Sequence, residues 1–570
     1  MVSRGKSILI LFAALTAITA QAGDKPPKET AAAIATSAAK KKFLPDDPLW
    51  KEPQPRPVRN VKTIDIDNLY DFVDESFAVP HEGKKLVRAG KADALNTNTL
   101  GEVPDSEWYT NRHARRTMSL DELVRGPGNA DPPDPNGQWH VISAKTDGVT
   151  PGFRIEDADG NRYLLKFDPP DYPEMASASD IIGSKIYYAL GYNTPENYIA
   201  YFRREQLTIT DASTWRDPVG KKHVLTEDLI DRWLAHQPKN SEGRYRALAS
   251  RWIAGKPVGP FTFDGTRSDD PNDIVPHEFR RELRGMAVFA SWLNDTDAKA
   301  INTLDSLVSE GGIEYLKHYR IDWGAALGSD SLQPKDVRRG HDYFLDPKST
   351  LRQAASFGFY VPEWMRESYP SIRGTGTFDY RSFDAAHWKP NYPAEPFLLM
   401  DSEDAFWAVK KAMAFSDAEI KAMVTTGQYT DPKATDWVTL CLIKRREKIA
   451  QAWLSRGLAL DNFRIENGRL AFDDLAEKYK VGPARPYSVQ WSVFDNSSGE
   501  TAPVPAAGDT VPDAAGRRTG FLAAGIRVAS DAAKSAVAKP DVPQVTVYLR
   551  SPHGSSARDS WEVVGIDRQY

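Results

Sequence analysis

The chain has 570 residues, with 73 Lys and Arg against 78 Asp and Glu, a formal net charge of −5 and one cysteine. At about 150 residues per domain this is length for two to four domains, and 41% hydrophobic with 26% charged residues is a globular composition, not a disordered or fibrous one. The slightly acidic balance argues against a nucleic-acid partner, and Cys441 alone can build neither an internal disulfide nor a Cys-rich zinc site.

Residues 1–22 carry the three parts of a secretory signal peptide: Arg4 and Lys6, an apolar run from Ile8 to Ile18, and the small-residue cleavage site Ala20-Gln21-Ala22. The run is shorter than the ~20 residues a spanning helix needs. No second apolar stretch of spanning length follows, so the expectation is a protein exported to the periplasm or outside the cell, without a transmembrane segment after cleavage. Residues 23–59, rich in Ala, Lys and Pro, read as a disordered leader. Residues 60–135 read as an irregular arm packed on the β-rich unit that follows.

That unit opens at Trp139 with a strand, a turn-rich loop and a hairpin around Asp159-Gly160. Asp171 and Pro173 then announce a helix in which Met175, Ala178, Ile182, Ile186 and Leu190 recur at helical spacing before Gly191 stops it. Residues 194–202 return to strand character. Beyond about residue 225 the pattern is mostly helical. His277 to Leu293 reads as amphipathic, Ser416 with Glu419 as a capping box, and Thr435 to Arg456 as a long helix holding Cys441. The charged runs at Arg280 (RREL) and Lys444 (KRREK) read as solvated helix faces. Alternation resumes after Asn462, which predicts a small C-terminal β domain over 462–570.

Three segments together suit phosphoryl transfer. The loop through Lys145, Thr146, Gly148, Thr150 and Gly152 can turn backbone N–H groups toward a phosphate. Lys166, on the next strand, can pair with the α/β-phosphates, with Glu174 as the acid that holds it and Asp180 as the alternative. Asp297 can orient or deprotonate an attacking hydroxyl, and Asn302 and Asp322 offer an amide and a second carboxylate for Mg²⁺. Zinc-hydrolase and Ser- or Cys-nucleophile chemistry lack their motifs: there is no HExxH or GxSxG, and Cys441 sits inside a predicted helix.

These residues, from Lys145 to about Leu327, resemble the protein-kinase-like superfamily, in its HipA-like branch and the related CotH-type and secretory-pathway atypical kinases. The five-residue offset of Asp297 and Asn302, the following Asp322-Trp323-Gly324 and the strand RYLLKF carry the likeness. Trp323 departs from the usual Phe, and Lys299 stands where HipA-type proteins carry His. The resemblance implies an α+β, two-lobed kinase-like fold, with a β-rich N-lobe and hinge over 136–265 and a helical C-lobe over 266–461. Within the C-lobe, residues 330–400, rich in aromatics such as Phe357, Tyr360, Trp364, Tyr380, Trp388 and Tyr392, take the place of an activation segment and substrate groove. It also implies ATP or another nucleotide with Mg²⁺, and a protein or small-molecule hydroxyl acceptor. ATP is scarce outside the cytoplasm, which keeps two alternatives open: a catalytically inactive kinase-fold scaffold, or a nucleotidyl-transferring enzyme.

Overall fold

Few apolar repeats and many prolines leave the described residues before Trp139 with little regular structure of their own. The computed structural model describes residues 43, 51–78, 86, 93–128, 132–145, 152–217, 220–357, 359–505, 508–512, 520–529, 543–551 and 560–569. The predicted signal peptide and most of the predicted leader lie outside the described residues. The described part of the arm is a strap that includes α1 (Asn68–Val73), capped by the Asp67 carboxylate, and α2 (Leu120–Arg125), held by a Ser119/Glu122 capping box. Two expectations change here. Residues 51–59 are not disordered, because Glu52 is buried against Arg280 at 2.8 Å and Val58 N–H donates to Glu314 O at 2.8 Å. The arm packs on helices more than on the sheet. Val103, Trp108, Tyr109, Met118 and Leu123 join the largest apolar core with Ile182, Phe289 and Trp407. Gly191 admits the Tyr109 ring, which a Cβ there would meet at 2.3 Å.

The alternating segments form an eight-stranded sheet. Its elements in chain order are β1 (Trp139–Ala144), β2 (Gly152–Glu156), β3 (Arg162–Lys166), α3 (Met175–Leu190), β4 (Asn197–Phe202), β5 (Leu207–Thr208), β6 (Thr214–Arg216), β7 (Lys222–Val224), α4 (Glu227–Leu234) and β8 (Tyr245–Arg251). The spatial order is β4-β8-β3-β2-β1-β6-β7, with β5 beside β1. Trp139, Phe153, Leu165 and Phe202 fill its core. α3 is buried on nearly every face, against β4 and β8 on one side and the helical layer on the other.

At Arg251 the chain leaves the sheet, and residues 252–255 lead to β9 (Lys256–Pro257). After α5 (Arg281–Leu293), the hairpin β10 (Thr303–Glu310) and β11 (Ile313–Arg320) pairs with β9. α6 (Pro347–Ala355), α7 (Glu395–Leu399), α8 (Ser402–Met413), α9 (Asp417–Thr425) and α10 (Pro432–Leu454) follow. α5 has no solvent face despite its amphipathic pattern: every one of its residues is buried, because α7, α8 and α10 pack around it. The two charged runs are therefore corrected. Arg280, Arg281 and Arg284 are buried in ion pairs, and Arg445 and Arg446 of α10 are buried too, Arg445 donating to Trp292 O at 2.9 Å. Only the neighbouring Lys444 and Glu447 pair with each other on the surface.

The C-terminal region holds the hairpin β12 (Leu460–Glu466) and β13 (Arg469–Asp474), the short α11 (Leu475–Lys478) and a sheet of β14 (Tyr487–Phe494), β15 (Thr501–Pro503), β16 (Phe521–Val528), β17 (Val545–Arg550) and β18 (Glu562–Arg568). Its order is β15-β14-β16-β17-β18, around Trp491, Leu522 and Val547. The molecule is thus mixed α+β. Among the described residues no helix is long and apolar enough to cross a membrane.

Candidate active site

β3 lies between β2 and β8, and its alternation buries Tyr163 and Leu165 while Lys166 ends the strand. Lys166 Nζ lies 2.9 Å from Asp180 Oδ2 and 3.2 Å from Asp322 Oδ2. Opposite Lys166 in the ladder is Gly152, where a Cβ would lie 1.9 Å from Leu165 O, so only glycine lets the strands approach this closely. Lys145 N–H donates to Gly152 O at 2.9 Å and closes the base of the predicted phosphate loop next to Lys166. Thr146, Gly148 and Thr150 of that loop lie outside the described residues.

Glu174 does not hold Lys166. It precedes α3 at φ 71°, and its carboxylate accepts from Thr430 N–H at 2.9 Å and Thr430 Oγ1 at 2.8 Å. The helix begins at Met175, so the acid facing β3 is the alternative, Asp180, well inside α3. Asp180 also accepts from Asn197 Nδ2 and Trp323 N–H, both at 3.2 Å. Three donors on a buried acceptor keep that carboxylate fixed.

Asp322 adopts a left-handed backbone (φ 61°) where β11 ends. The next residue, Trp323, is fully buried over Gly183 of α3, where a Cβ would lie 2.5 Å from its ring, and Ser179 Oγ donates to Trp323 O at 2.7 Å. The larger ring in place of the usual Phe is therefore seated by a glycine. While Trp323 is anchored, the Asp322 side chain stays 44% exposed.

Asp297 lies just beyond α5, whose end is set by Asn294 in the left-handed region (φ 52°) and by the buried Asp295–Arg320 pair at 2.8 Å. Asp297 Oδ1 receives Lys299 Nζ at 2.9 Å and Asn391 Nδ2 at 3.1 Å, and Oδ2 receives Asn302 Nδ2 at 2.9 Å. Asn302 O in turn accepts from Ile321 N–H at 3.0 Å. One chain of contacts thus joins Asp297, Asn302, the end of β11, Asp322 and Lys166.

Burial alone would pull the Lys166 ammonium toward neutrality, but Asp180 and Asp322 outweigh it and hold its pKa above the ordinary lysine value. Desolvation likewise opposes ionisation of Asp322, and Lys166 overcomes it, leaving its pKa below the usual carboxylate value. Both groups are charged at neutral pH. Asp322 and the amide oxygen of Asn302, whose nitrogen is spent on Asp297, are hard oxygen donors of the kind Mg²⁺ takes. Among the described residues no group of three or more His, Cys, Asp or Glu could hold a metal ion. A divalent ion here would complete its shell with phosphate oxygens and water.

Sequence reasoning missed Asn391 and Lys335. Asn391 belongs to the aromatic 330–400 segment and reaches Asp297 across 94 positions. Lys335 Nζ donates to Thr296 Oγ1 at 2.7 Å and Ala325 O at 2.5 Å, and burial draws its pKa down to about 8. It braces the loop after α5 against the turn after Trp323. Neither residue has a local motif that would single it out.

No protein-family model matches the chain, and no curated protein matches it in sequence. Among solved structures it has partial likeness to the proinflammatory kinase CtkA of Helicobacter pylori, at 11% identity over 57% of this chain and 98% of that one, with a TM-score of 0.32. The Golgi casein kinase aligns at 9% identity over 71% of this chain and 97% of its own, with a TM-score of 0.27. The same enzyme with Mn/ADP bound aligns at 10% identity over 68% and 96%, with a TM-score of 0.21. At these TM-scores the chemistry of the present site rests on its own residues.

Proposed function

We propose that the protein is a kinase-like phosphotransferase that moves the γ-phosphoryl group of an Mg²⁺-nucleotide to a hydroxyl of a protein or small-molecule acceptor. The observation that carries this reading is Lys166 bridging a buried acid, Asp180, and a half-exposed one, Asp322, beside an Asp297 carboxylate oriented by Asn302. In this reading Lys166 holds the α/β-phosphates, next to the Lys145–Gly152 pair. Asp297 takes the proton of the attacking hydroxyl as its oxygen bonds the γ-phosphorus, and the bond to the β-bridging oxygen breaks to release the nucleoside diphosphate. Mg²⁺, held by Asp322 and Asn302, would supply charge neutralisation on the phosphates. Export by the signal peptide belongs to the same proposal, supported by the pattern over residues 4–22.

The test is an Mg²⁺-dependent thermal shift with ATP, followed by phosphate transfer in Asp297→Ala and Asp322→Ala. A shift in the wild type and loss of transfer in both variants are expected. No shift at millimolar ATP would overturn the reading, and transfer surviving both substitutions would overturn the residue roles. The mass of the modified product separates phosphoryl from nucleotidyl transfer.

A further inference from the structure

The arm brings two acids toward the acceptor side of Asp297. Asp71, on α1, accepts a hydrogen bond from the Tyr392 hydroxyl at 2.8 Å. Tyr392 directly follows Asn391, whose amide donates to Asp297 at 3.1 Å. Phe72 fixes α1 to this segment by edge-on contacts with Phe344 (6.2 Å) and Tyr392 (5.7 Å). One turn beyond Asp71, Glu75 is only 8% exposed, and among the described residues its Oε2 has no hydrogen-bond partner. A buried carboxyl oxygen left without a donor is costly, and such groups are uncommon unless a ligand or ion completes them.

The missing donor is a cation. Lys299 acts on Asp71, yet its ammonium is already paired with Asp297 at 2.9 Å. Burial first, and then Asp71 and other carboxylates, push the Glu75 pKa up to about 10, so the site as it stands keeps that acid protonated. An ammonium or guanidinium, which donates several hydrogen bonds from one charge, meets the demand with two carboxylates.

We infer that Asp71 and Glu75 form a subsite for a cationic group, a lysine- or arginine-type side chain or an amine, on the molecule whose hydroxyl is presented to Asp297. The word acceptor rests on the phosphotransfer reading; the binding of a cation does not. The experiment is isothermal titration of the full chain, without nucleotide, with a serine peptide flanked by arginines and its counterpart flanked by glutamates. The arginine peptide should bind about tenfold tighter or better, with an affinity that falls as salt rises. Glu75→Gln and Asp71→Asn should each weaken it about fivefold or more. Glu75→Gln should leave the melting temperature unchanged or higher, because it relieves a buried carboxyl whose Oε2 has no donor among the described residues. Equal affinity for the two peptides, or full affinity for the arginine peptide in both variants, overturns the subsite. Binding of the arginine peptide without phosphate transfer to it keeps the subsite and sinks the phosphotransfer reading. Nucleotide-dependent transfer with no preference for the arginine peptide does the reverse.

Discussion

Two clusters of opposite charge lie at the two ends of α5, and they differ in one respect. At its start, Arg280 meets Glu52 at 2.8 Å, while Arg281 and Arg284 meet Asp404 at 2.9 and 3.3 Å, all of these side chains being buried. Beyond its end, Lys166, Asp180, Asp322, Asp297, Lys299 and Asn302 are linked just as closely, yet Asp322 is 44% and Asp297 24% exposed. The first cluster pairs each of these arginines with a buried carboxylate. The second keeps oxygen atoms turned toward solvent, where a ligand can use them. Charge density alone does not separate a structural network from a site; access does.

The comparison breaks most directly at Asp322. Asp322→Asn keeps an acceptor for Gly324 N–H but removes the charge, so phosphate transfer should fall by roughly 10²–10³-fold with little change in melting temperature. A steady-state assay beside a thermal melt reads both. In the buried cluster the outcome should invert. Asp404→Ala removes the buried carboxylate that Arg281 and Arg284 share, leaving Arg281 only the part-exposed Glu403 at 3.1 Å, and denaturant titration should show a loss of about 3–5 kcal/mol, with transfer per folded molecule preserved.

Gly183→Ala sharpens the boundary between the two kinds of effect. The new methyl would meet the Trp323 ring, at a cost of about 1–3 kcal/mol. Because Trp323 anchors Asp322, kcat should fall too, although residue 183 touches no substrate.

The smallest effect concerns a cluster of intermediate access. Glu102 ties the arm to Lys410 and Lys411 of α8; burial opposes its ionisation, but the two ammonium groups outweigh it and draw its pKa from 4.5 down to about 2. A depressed carboxylate pKa gives stability that is fully present above the unfolded value and lost as pH falls through the folded one. The wild type should therefore lose this contribution between pH 4.5 and about 2, and Glu102→Gln should flatten that part of the acid-unfolding curve.

The readable parts of the site were those carried by local chemistry. Asp297, Asn302 and Asp322 stand in fixed order around a hairpin, and backbone pairing of that hairpin brings their neighbours together as the spacing suggests. The helix over residues 175–190 showed in its apolar period, and Ser416 with Glu419 forms the capping box its pattern predicts. The choice between Glu174 and Asp180 was not local. They are six residues apart, about 9 Å along a helix axis, and which one faces Lys166 depends on where α3 begins and how it lies on the sheet. The burial of Arg280, Arg281 and Arg284 was illegible for the same reason, since an arginine run beside a polar one reads as surface until α8 supplies Asp404 from 120 or more positions away.

By itself, then, the sequence determined the order of α and β segments, the glycine at 152, the carboxylates and amide around β10 and β11, and a lone cysteine that can close no internal disulfide. Those follow from periodicity, turn chemistry and residue type, which act over a few positions. Tertiary structure alone decided which acid holds Lys166, that Asn391 reaches Asp297 while Lys335 braces the loop after α5, and that the arm brings Asp71 to Tyr392. Each of those is a contact between segments distant in the chain, set by how helices and sheet pack, and packing leaves no local signature in the residues it joins.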